Sequence, residues 1–120
     1  MEASVRAATG AAQDRERLAA RIGVSMNAIE AFCDRWQVGE LALFGSVLRD
    51  DFGPDSDIDV LIQFRSERSP GLFGMAGMQR ELADLFARRV DLVSRAAIEG
   101  SRNYIRRKAI LESARVVYAP

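Results

Sequence analysis

The spacing of apolar residues changes along the chain between helical and strand periodicity, and in the N-terminal third it predicts two helices. A short apolar stretch, Leu18–Ile22, predicts the first helix, which ends at Gly23. Ser25 is a suitable N-cap for the second helix, and Gly39 is expected to end its pattern. The inward-facing residues of this second helix lie three or four positions apart: Ile29, Phe32, Cys33 and Trp36.

The middle of the chain predicts two strands. Leu41–Phe44 is typical of a buried strand, and it is followed by Gly45-Ser46 and a short helix, Val47–Asp50. Turn-forming residues fill Phe52–Ser56, and strict alternation over Asp57–Phe64 then predicts the second strand. One face of that strand carries Ile58, Val60, Ile62 and Phe64, and the other carries Asp57, Asp59, Leu61 and Gln63.

The C-terminal half predicts two further helices and two further strands. A polar loop, Arg65–Gly71, precedes a helix over Leu72–Ala87, which is followed by a strand over Val90–Val93. Ser101 is expected to cap a last helix that runs to about Glu112. The inward residues of the long helix are expected to be Leu72, Met75, Leu82, Leu85 and Phe86.

Strands that alternate with helices predict an α/β (α+β) fold with a small mixed sheet flanked by helices. Val116–Tyr118 is expected to add an edge strand to this sheet. We expect residues 1–12 to be a disordered N-terminus, since they carry no periodic pattern, and residues 13–120 to form a single domain.

Composition excludes several kinds of chemistry. The 120 residues include no His and one Cys, which excludes His-based triads, His-ligated zinc and an internal disulfide. Seventeen basic and seventeen acidic residues balance, so overall charge does not favour binding to DNA or membranes. No apolar run reaches the roughly 18–20 residues that span a bilayer, and no secretory signal is visible at the start, so a cytoplasmic protein is expected.

Acidic residues are concentrated in one segment. Six acids and one base lie between Glu40 and Val60. Asp57 and Asp59 alternate on one strand, so their carboxylates project from the same face and suit Mg²⁺, which prefers oxygen ligands. Asp91 adds a third carboxylate if its strand lies beside theirs. These three aspartates are therefore our candidate catalytic and metal-binding residues.

Gly45 and Ser46 supply a complementary anion site. A strand that ends in Gly-Ser and opens a helix presents free backbone N–H groups and a hydroxyl to a phosphate. Arg49 is expected one turn later on the same helix face, where it adds a charged donor. A phosphate site beside carboxylate-bound Mg²⁺ predicts phosphoryl or nucleotidyl transfer by metal-assisted in-line displacement.

The spacing of these residues resembles a known signature. Gly45-Ser46, ten further residues, Asp57-x-Asp59 and a third strand aspartate, Asp91, are similar to the signature of the DNA polymerase β-like nucleotidyltransferase fold. The segments LALFGSVLRDDFGPDSDIDVLIQF, SPGLF and RRVDLVS resemble the minimal nucleotidyltransferase (MNT) family, and the resemblance runs from about Trp36 to Ala119.

The resemblance implies a catalytic core without a helical substrate-binding domain. In that core Gly45 and Ser46 would hold the triphosphate of ATP, Asp57 and Asp59 would hold Mg²⁺, and Asp91 would be the third carboxylate. Characterised members of the family are antitoxins that transfer AMP from ATP to a tyrosine of a HEPN-type ribonuclease toxin. We therefore expect a protein adenylyltransferase whose partners are ATP and such a toxin.

Other classes of function stay open at this point. An antitoxin could act by occlusion with a vestigial acidic site, and a small-molecule nucleotidyltransferase is disfavoured because no second domain is seen to hold the acceptor. Leu18–Ile29 resembles a helix-turn-helix, but its second helix carries few basic residues, so DNA binding is not expected. The segment Arg95–Arg115 is strongly basic and suits a solvated helix face, an acidic partner or nucleotide phosphates. Homo- and hetero-oligomers are both compatible with the chain.

Overall fold

A four-stranded mixed sheet organises the structure, which is a computed structural model that describes residues 13–66 and 70–119. The sheet order is β3-β2-β1-β4, in which β1 pairs antiparallel with both β2 and β4, and β2 pairs parallel with β3. The expected disorder of residues 1–12 lies outside the described residues. The strands are β1 (Val38–Phe44), β2 (Ile58–Phe64), β3 (Val90–Ser94) and β4 (Arg115–Tyr118).

Helices pack on both faces of this sheet. Residues 13–21 are helical and are called α1. The other helical segments are α2 (Met26–Trp36), the 3₁₀ turn η1 (Gly45–Leu48), α3 (Gly71–Phe86), α4 (Arg95–Glu99) and α5 (Tyr104–Ser113). Within the described ranges, none of these helices has the length and apolar character needed to cross a bilayer. The predicted fold class is confirmed, as is the edge strand at the C-terminal end.

The alternation of β2 divides the core into two clusters. Its residues Ile58, Val60 and Ile62 are buried with the inward faces of α1, α2 and α3. On the opposite face, Leu61 is buried in a smaller cluster with one residue from each of α4 and α5. Because side chains alternate along a strand, Asp59 shares its face with Leu61 and lies on the α4–α5 side of the sheet.

The spacing predicted that Gly39 would end the apolar pattern of the second helix, but Gly39 does not end it. The helix α2 ends at Trp36, its C-cap Gln37 adopts a left-handed conformation with φ of 57°, and β1 begins at Val38. Gly39 therefore lies inside β1, where the pairing with β2 shifts register between Val38 and Glu40. A glycine is common at such a bulge because the neighbouring backbone approaches closely.

The cap predicted at Ser101 is also wrong. The last helix, α5, begins at Tyr104, and the side chain of Asn103 caps it by accepting a hydrogen bond from the Arg106 N–H at 3.1 Å. Ser101 lies in the turn before it, where its hydroxyl accepts from the Asn103 N–H. The preceding five-residue helix α4, capped by Ser94, was not predicted because so short a segment has no measurable periodicity.

The long helix α3 is confirmed, but its first turn differs from the prediction. Leu72, expected to face inward, is 84% exposed, and the neighbouring Phe73 is 92% exposed. The buried row of α3 consists of Met78, Leu82 and Phe86, spaced four residues apart. The first turn therefore lies outside the core, and the helix period alone could not reveal where the core stops.

Candidate functional site

The register of the sheet brings two of the three candidate aspartates side by side. Asp59 of β2 pairs directly with Asp91 of the parallel strand β3, and on its other side it pairs with Phe44 at the end of β1. Asp57 lies two residues earlier, directly before β2 begins. The pairing of the two strands, on which the expected convergence of the three aspartates depended, is found.

These carboxylates act on one another electrostatically. The pKa of Asp59 is raised from its ordinary value of 3.8, first by burial and then by the negative charges of Asp91 and Asp57. Two cations, Arg106 and Arg49, oppose this shift of the pKa of Asp59. A carboxylate that is disfavoured as an anion by two other carboxylates is a site where a bound cation would relieve repulsion.

Asp57 is engaged by a side chain in this structure. Its Oδ1 atom lies 3.0 Å from Nε of Arg89, and both side chains of the pair are at least half exposed. Within residues 13–66 and 70–119, no three Asp, Glu or Cys side chains are grouped as ligands of one metal ion. The donor set nevertheless fits a hard divalent cation, because two of the carboxylates belong to paired positions of neighbouring strands and the exposed ion pair of Asp57 contributes little that a metal would have to replace.

Gly45 permits the close approach of the first strand to Asp59. Its φ is +74°, in the region that favours glycine, and a Cβ atom placed on it would lie 2.2 Å from Oδ2 of Asp59. The adjacent hydroxyl of Ser46 donates to the backbone carbonyl of Asp57 at 3.2 Å. The Gly-Ser turn is thus in direct contact with the segment that carries the acids, and its role as a phosphate site stays a prediction.

Arg49 lies elsewhere than predicted. The sequence predicted a helix over Val47–Asp50 with Arg49 on the face of Ser46, but the 3₁₀ turn ends at Leu48 and Arg49 is extended, with φ of −106° and ψ of 161°. Its Nε lies 3.1 Å from Oδ1 of Asp51, in an exposed pair. The tighter 3₁₀ winding ends the helix early, so the assignment of Arg49 as a nucleotide ligand stays a prediction with no contact in its favour.

Arg106 is a candidate that the sequence did not single out. It belongs to the basic segment Arg95–Arg115, lies exposed on α5, and its charge has a larger effect on the pKa of Asp59 than that of Arg49. One helical turn later, Ile110 is buried against the sheet in the cluster that contains Leu61. Arg106 therefore lies on the sheet-facing side of α5. The sequence showed a basic helix but not which arginine faces the acids.

A groove of about 700 Å³ leads to the acids along the edge of the sheet. It runs between α3 and β3, with apolar walls from both elements, and Asp57 and Asp91 both line it. Arg80 and Arg89 add positive charge to the lining. This volume lies in the range of small-molecule sites, and two of the three acids are accessible from it.

The fold and the acidic site together define an α/β protein of the nucleotidyltransferase class. A family profile described as a nucleotidyltransferase domain matches residues 25–117, and the chain belongs to this family. The resemblance inferred from the motifs is confirmed.

Two relatives share substantial sequence with the chain. The protein adenylyltransferase MntA of Thermococcus cleftensis is 35% identical over 66 residues, which are 55% of this chain. The match covers 65% of that relative, so the chain spans less than two thirds of its length. The solved structure of a proposed minimal nucleotidyltransferase is 32% identical with a TM-score of 0.58, covering 83% of this chain and 92% of that chain.

A third comparison shows likeness of fold. A solved structure of a tri-AMPylated Shewanella oneidensis HEPN toxin in complex with an MNT antitoxin contains a chain that aligns with a TM-score of 0.53 and 16% identity. The alignment covers 79% of this chain and 70% of that chain.

Replacing Gly45 should destabilise the fold where replacing Gly53 does not. In Gly45→Ala the left-handed backbone alone costs about 1–2 kcal/mol, and the methyl group must also displace the Asp59 carboxylate. Gly53→Ala is the matched control, because a Cβ there meets nothing within 4 Å. Urea unfolding of both variants measures the difference, and equal free energies of unfolding would contradict this account of Gly45.

Asp59→Asn should stabilise the protein at neutral pH. The pKa of Asp59 is raised in the folded state, so above pH 3.8 the folded protein binds more protons at this carboxyl group than the unfolded chain does. Ionised Asp59 therefore lowers the free energy of unfolding. This loss is absent below pH 3.8 and grows as the pH rises through the folded pKa. The gain in free energy of unfolding should therefore shrink as pH falls from 8 toward about 3.5. Glu30→Gln on α2 is the control, and a gain that is independent of pH would contradict an origin in the charge of Asp59.

Proposed function

We propose that this protein is a Mg²⁺-dependent nucleotidyltransferase that acts as an antitoxin, transferring AMP from ATP to a tyrosine of a HEPN-type ribonuclease toxin. The observation that carries the proposal is the pairing of Asp59 with Asp91 across neighbouring strands, beside the Gly45-Ser46 turn. Family membership supports nucleotidyl transfer, and the relative named as a protein adenylyltransferase supports a protein acceptor. The AMPylated HEPN toxin in complex with an MNT antitoxin supports the choice of partner.

The three aspartates would hold the divalent ion. Asp57 and Asp59 would bind it together, Asp57 by giving up its exposed pair with Arg89, and Asp91 would complete the set from the edge strand. When bound, Mg²⁺ neutralises phosphate charge and lowers the pKa of the attacking hydroxyl. Asp91 is exposed and, like Asp57, lines the groove, so it is accessible to an acceptor side chain, whose hydroxyl it would help to activate.

The remaining groups bind and orient the nucleotide. Gly45 lets the backbone approach the phosphates closely, and the Ser46 hydroxyl lies beside it. The tyrosine oxygen attacks the α-phosphorus, the bond from that phosphorus to the bridging oxygen of the β-phosphate breaks, and pyrophosphate leaves. Arg106 is assigned to the departing phosphates, the role that the sequence had suggested for Arg49, because it lies on the sheet-facing side of α5, whereas Arg49 pairs with Asp51.

Catalysis and occlusion can be separated by stoichiometry. The HEPN-type partner is expected in the neighbouring reading frame, and a small fraction of this protein with ATP and Mg²⁺ should inactivate an excess of it. Mass spectrometry should then find AMP on a partner tyrosine, and inactivation should persist after this protein is removed. Neutralisation that is ATP-independent, equimolar and reversed on dissociation would support occlusion instead.

Neutralising the aspartates should stop this transfer. Asp57→Asn, Asp59→Asn and Asp91→Asn should each lower the rate by about 100-fold or more, because each removes a negative ligand from the divalent ion. Asp84→Asn, an exposed site on α3, is the matched control and should transfer at the normal rate. Normal transfer by Asp57→Asn and Asp59→Asn would refute the site.

Arg106 and Arg49 can be compared directly. Arg106→Met should weaken the binding of a fluorescent ATP analogue by about tenfold, the effect of losing one charged hydrogen bond, and Arg49→Met should change it much less. Both variants keep the apolar stem of the side chain and remove the charge. Fluorescence anisotropy measures the dissociation constants, and a larger effect at Arg49 would return the phosphate role to that residue.

A further inference from the structure

The connection from η1 to β2, residues 49–57, contacts two arginines, Arg21 and Arg88, that have no role in the site described above. Phe52 lies in this connection, and the guanidinium carbon of Arg88 is 4.4 Å from the centre of its ring. The guanidinium of Arg21, at the end of α1, approaches the same ring at 5.4 Å. Arg21, Phe52 and Arg88 are called the Phe52 clasp below. Two cations on one aromatic ring draw three separated segments of the chain together.

The arginines of the clasp also bind the backbone of the connection. Arg21 donates to the carbonyl of Arg49 at the start of the connection. Arg88 donates from Nη1 to the carbonyls of Gly53 and Ser56, the latter at 3.3 Å. Between those two residues the turn closes on itself, since the Gly53 N–H donates to Oγ of Ser56 at 3.1 Å and the Ser56 N–H donates to the Gly53 carbonyl at 3.1 Å.

The contacts of the Phe52 clasp reach the backbone directly before Asp57. The Ser56 carbonyl held by Arg88 belongs to the peptide bond that precedes Asp57. The carbonyl of Asp57 accepts from the Ser46 hydroxyl, and the next N–H, that of Ile58, donates to the carbonyl of Arg89 at 3.0 Å. Asp57 lies before β2 begins, so these contacts replace the strand pairing that would otherwise hold its backbone.

We propose that Arg88 is a positioning residue for Asp57, fixing through the Phe52 clasp the peptide bond that precedes this carboxylate. The proposal rests on the proposed function, in which Asp57 holds the divalent ion. The connection contains one base, Arg49, and three acids besides Asp57, so without a further cation its own charge favours an open conformation: Asp50, Asp51 and Asp55. Arg88 supplies that cation where the chain enters the site, and its half-buried position strengthens the contact.

The experiment compares Arg88→Met, Arg88→Lys and Phe52→Leu with wild type in the full chain, with Arg17→Met as the matched control. Arg17 is highly exposed and pairs with Asp14 of its own helix. In Arg88→Met, hydrogen exchange at the Ile58 amide should accelerate by about tenfold relative to amides of β1, as expected from losing a charged hydrogen bond. Lysine keeps the charge over the ring but not the planar fork, so Arg88→Lys should show an intermediate effect.

Metal binding gives the second measurement, and it needs neither nucleotide nor partner. Mn²⁺ binding followed by electron paramagnetic resonance should weaken by about tenfold in Arg88→Met and less in Phe52→Leu. Metal-free binding of a fluorescent ATP analogue should change less than twofold, because the Gly45-Ser46 turn is not held by Arg88. This split between metal and nucleotide is the mark of positioning, since general loosening would weaken both and would accelerate exchange in β1.

The outcomes separate the inference from the proposed function. If wild type binds Mn²⁺ and Arg88→Met binds it equally well with unchanged Ile58 exchange, the inference alone fails. If exchange accelerates equally throughout β1 and the melting temperature falls in parallel, Arg88 is a structural residue and the inference is overturned. If wild type binds no Mn²⁺, the metal site of the proposed function fails and the inference falls with it.

Discussion

The parallel pairing of β2 with β3 places Asp59 and Asp91 side by side. The repulsion between their carboxylates is the constraint that the rest of the site has to accommodate. The pKa of Asp59 is raised by burial and by two neighbouring acids, so the folded protein holds a charge that it would hold more easily in water. Repulsion of this kind lowers stability, and the proposed binding of a divalent cation would relieve it.

The loss of stability at Asp59 is tolerated because the core beneath β2 is well packed. The face of β2 opposite Asp59 buries Ile58, Val60 and Ile62 completely, against residues from three helices. Each buried aliphatic side chain contributes about 1.5–3 kcal/mol, so one disfavoured carboxylate is readily offset. The alternation of the strand allows both functions, since one set of residues holds the sheet and the other set faces the site.

Contacts between side chains and the backbone assemble the site. Gly45 approaches Asp59 with no Cβ between them, Ser46 holds the carbonyl of Asp57, and Arg88 holds the carbonyl before it. Gly45 and Ser46 lie in the short turn η1, and Arg88 lies between α3 and β3, so none of the three lies in a strand or a long helix. The acids are therefore presented by the sheet but oriented by the segments that join its strands.

The order of helices and strands, the alternation of β2 and the residue types of the acidic site follow from local spacing, and these could be predicted from the sequence. Hydrophobic period and turn residues act over a few neighbours, so they identified all four strands and the fold class. The exposure of Leu72, the short helix α4 and the bulge at Gly39 could not be predicted, because they depend on where the core ends and on the partner strand. Only the folded chain placed Asp91 beside Asp59, paired Arg49 with Asp51 and brought Arg106 and Arg88 to the acidic end of the sheet. These contacts join residues from distant parts of the sequence, and their geometry is set by strand pairing and helix packing, which no local pattern encodes.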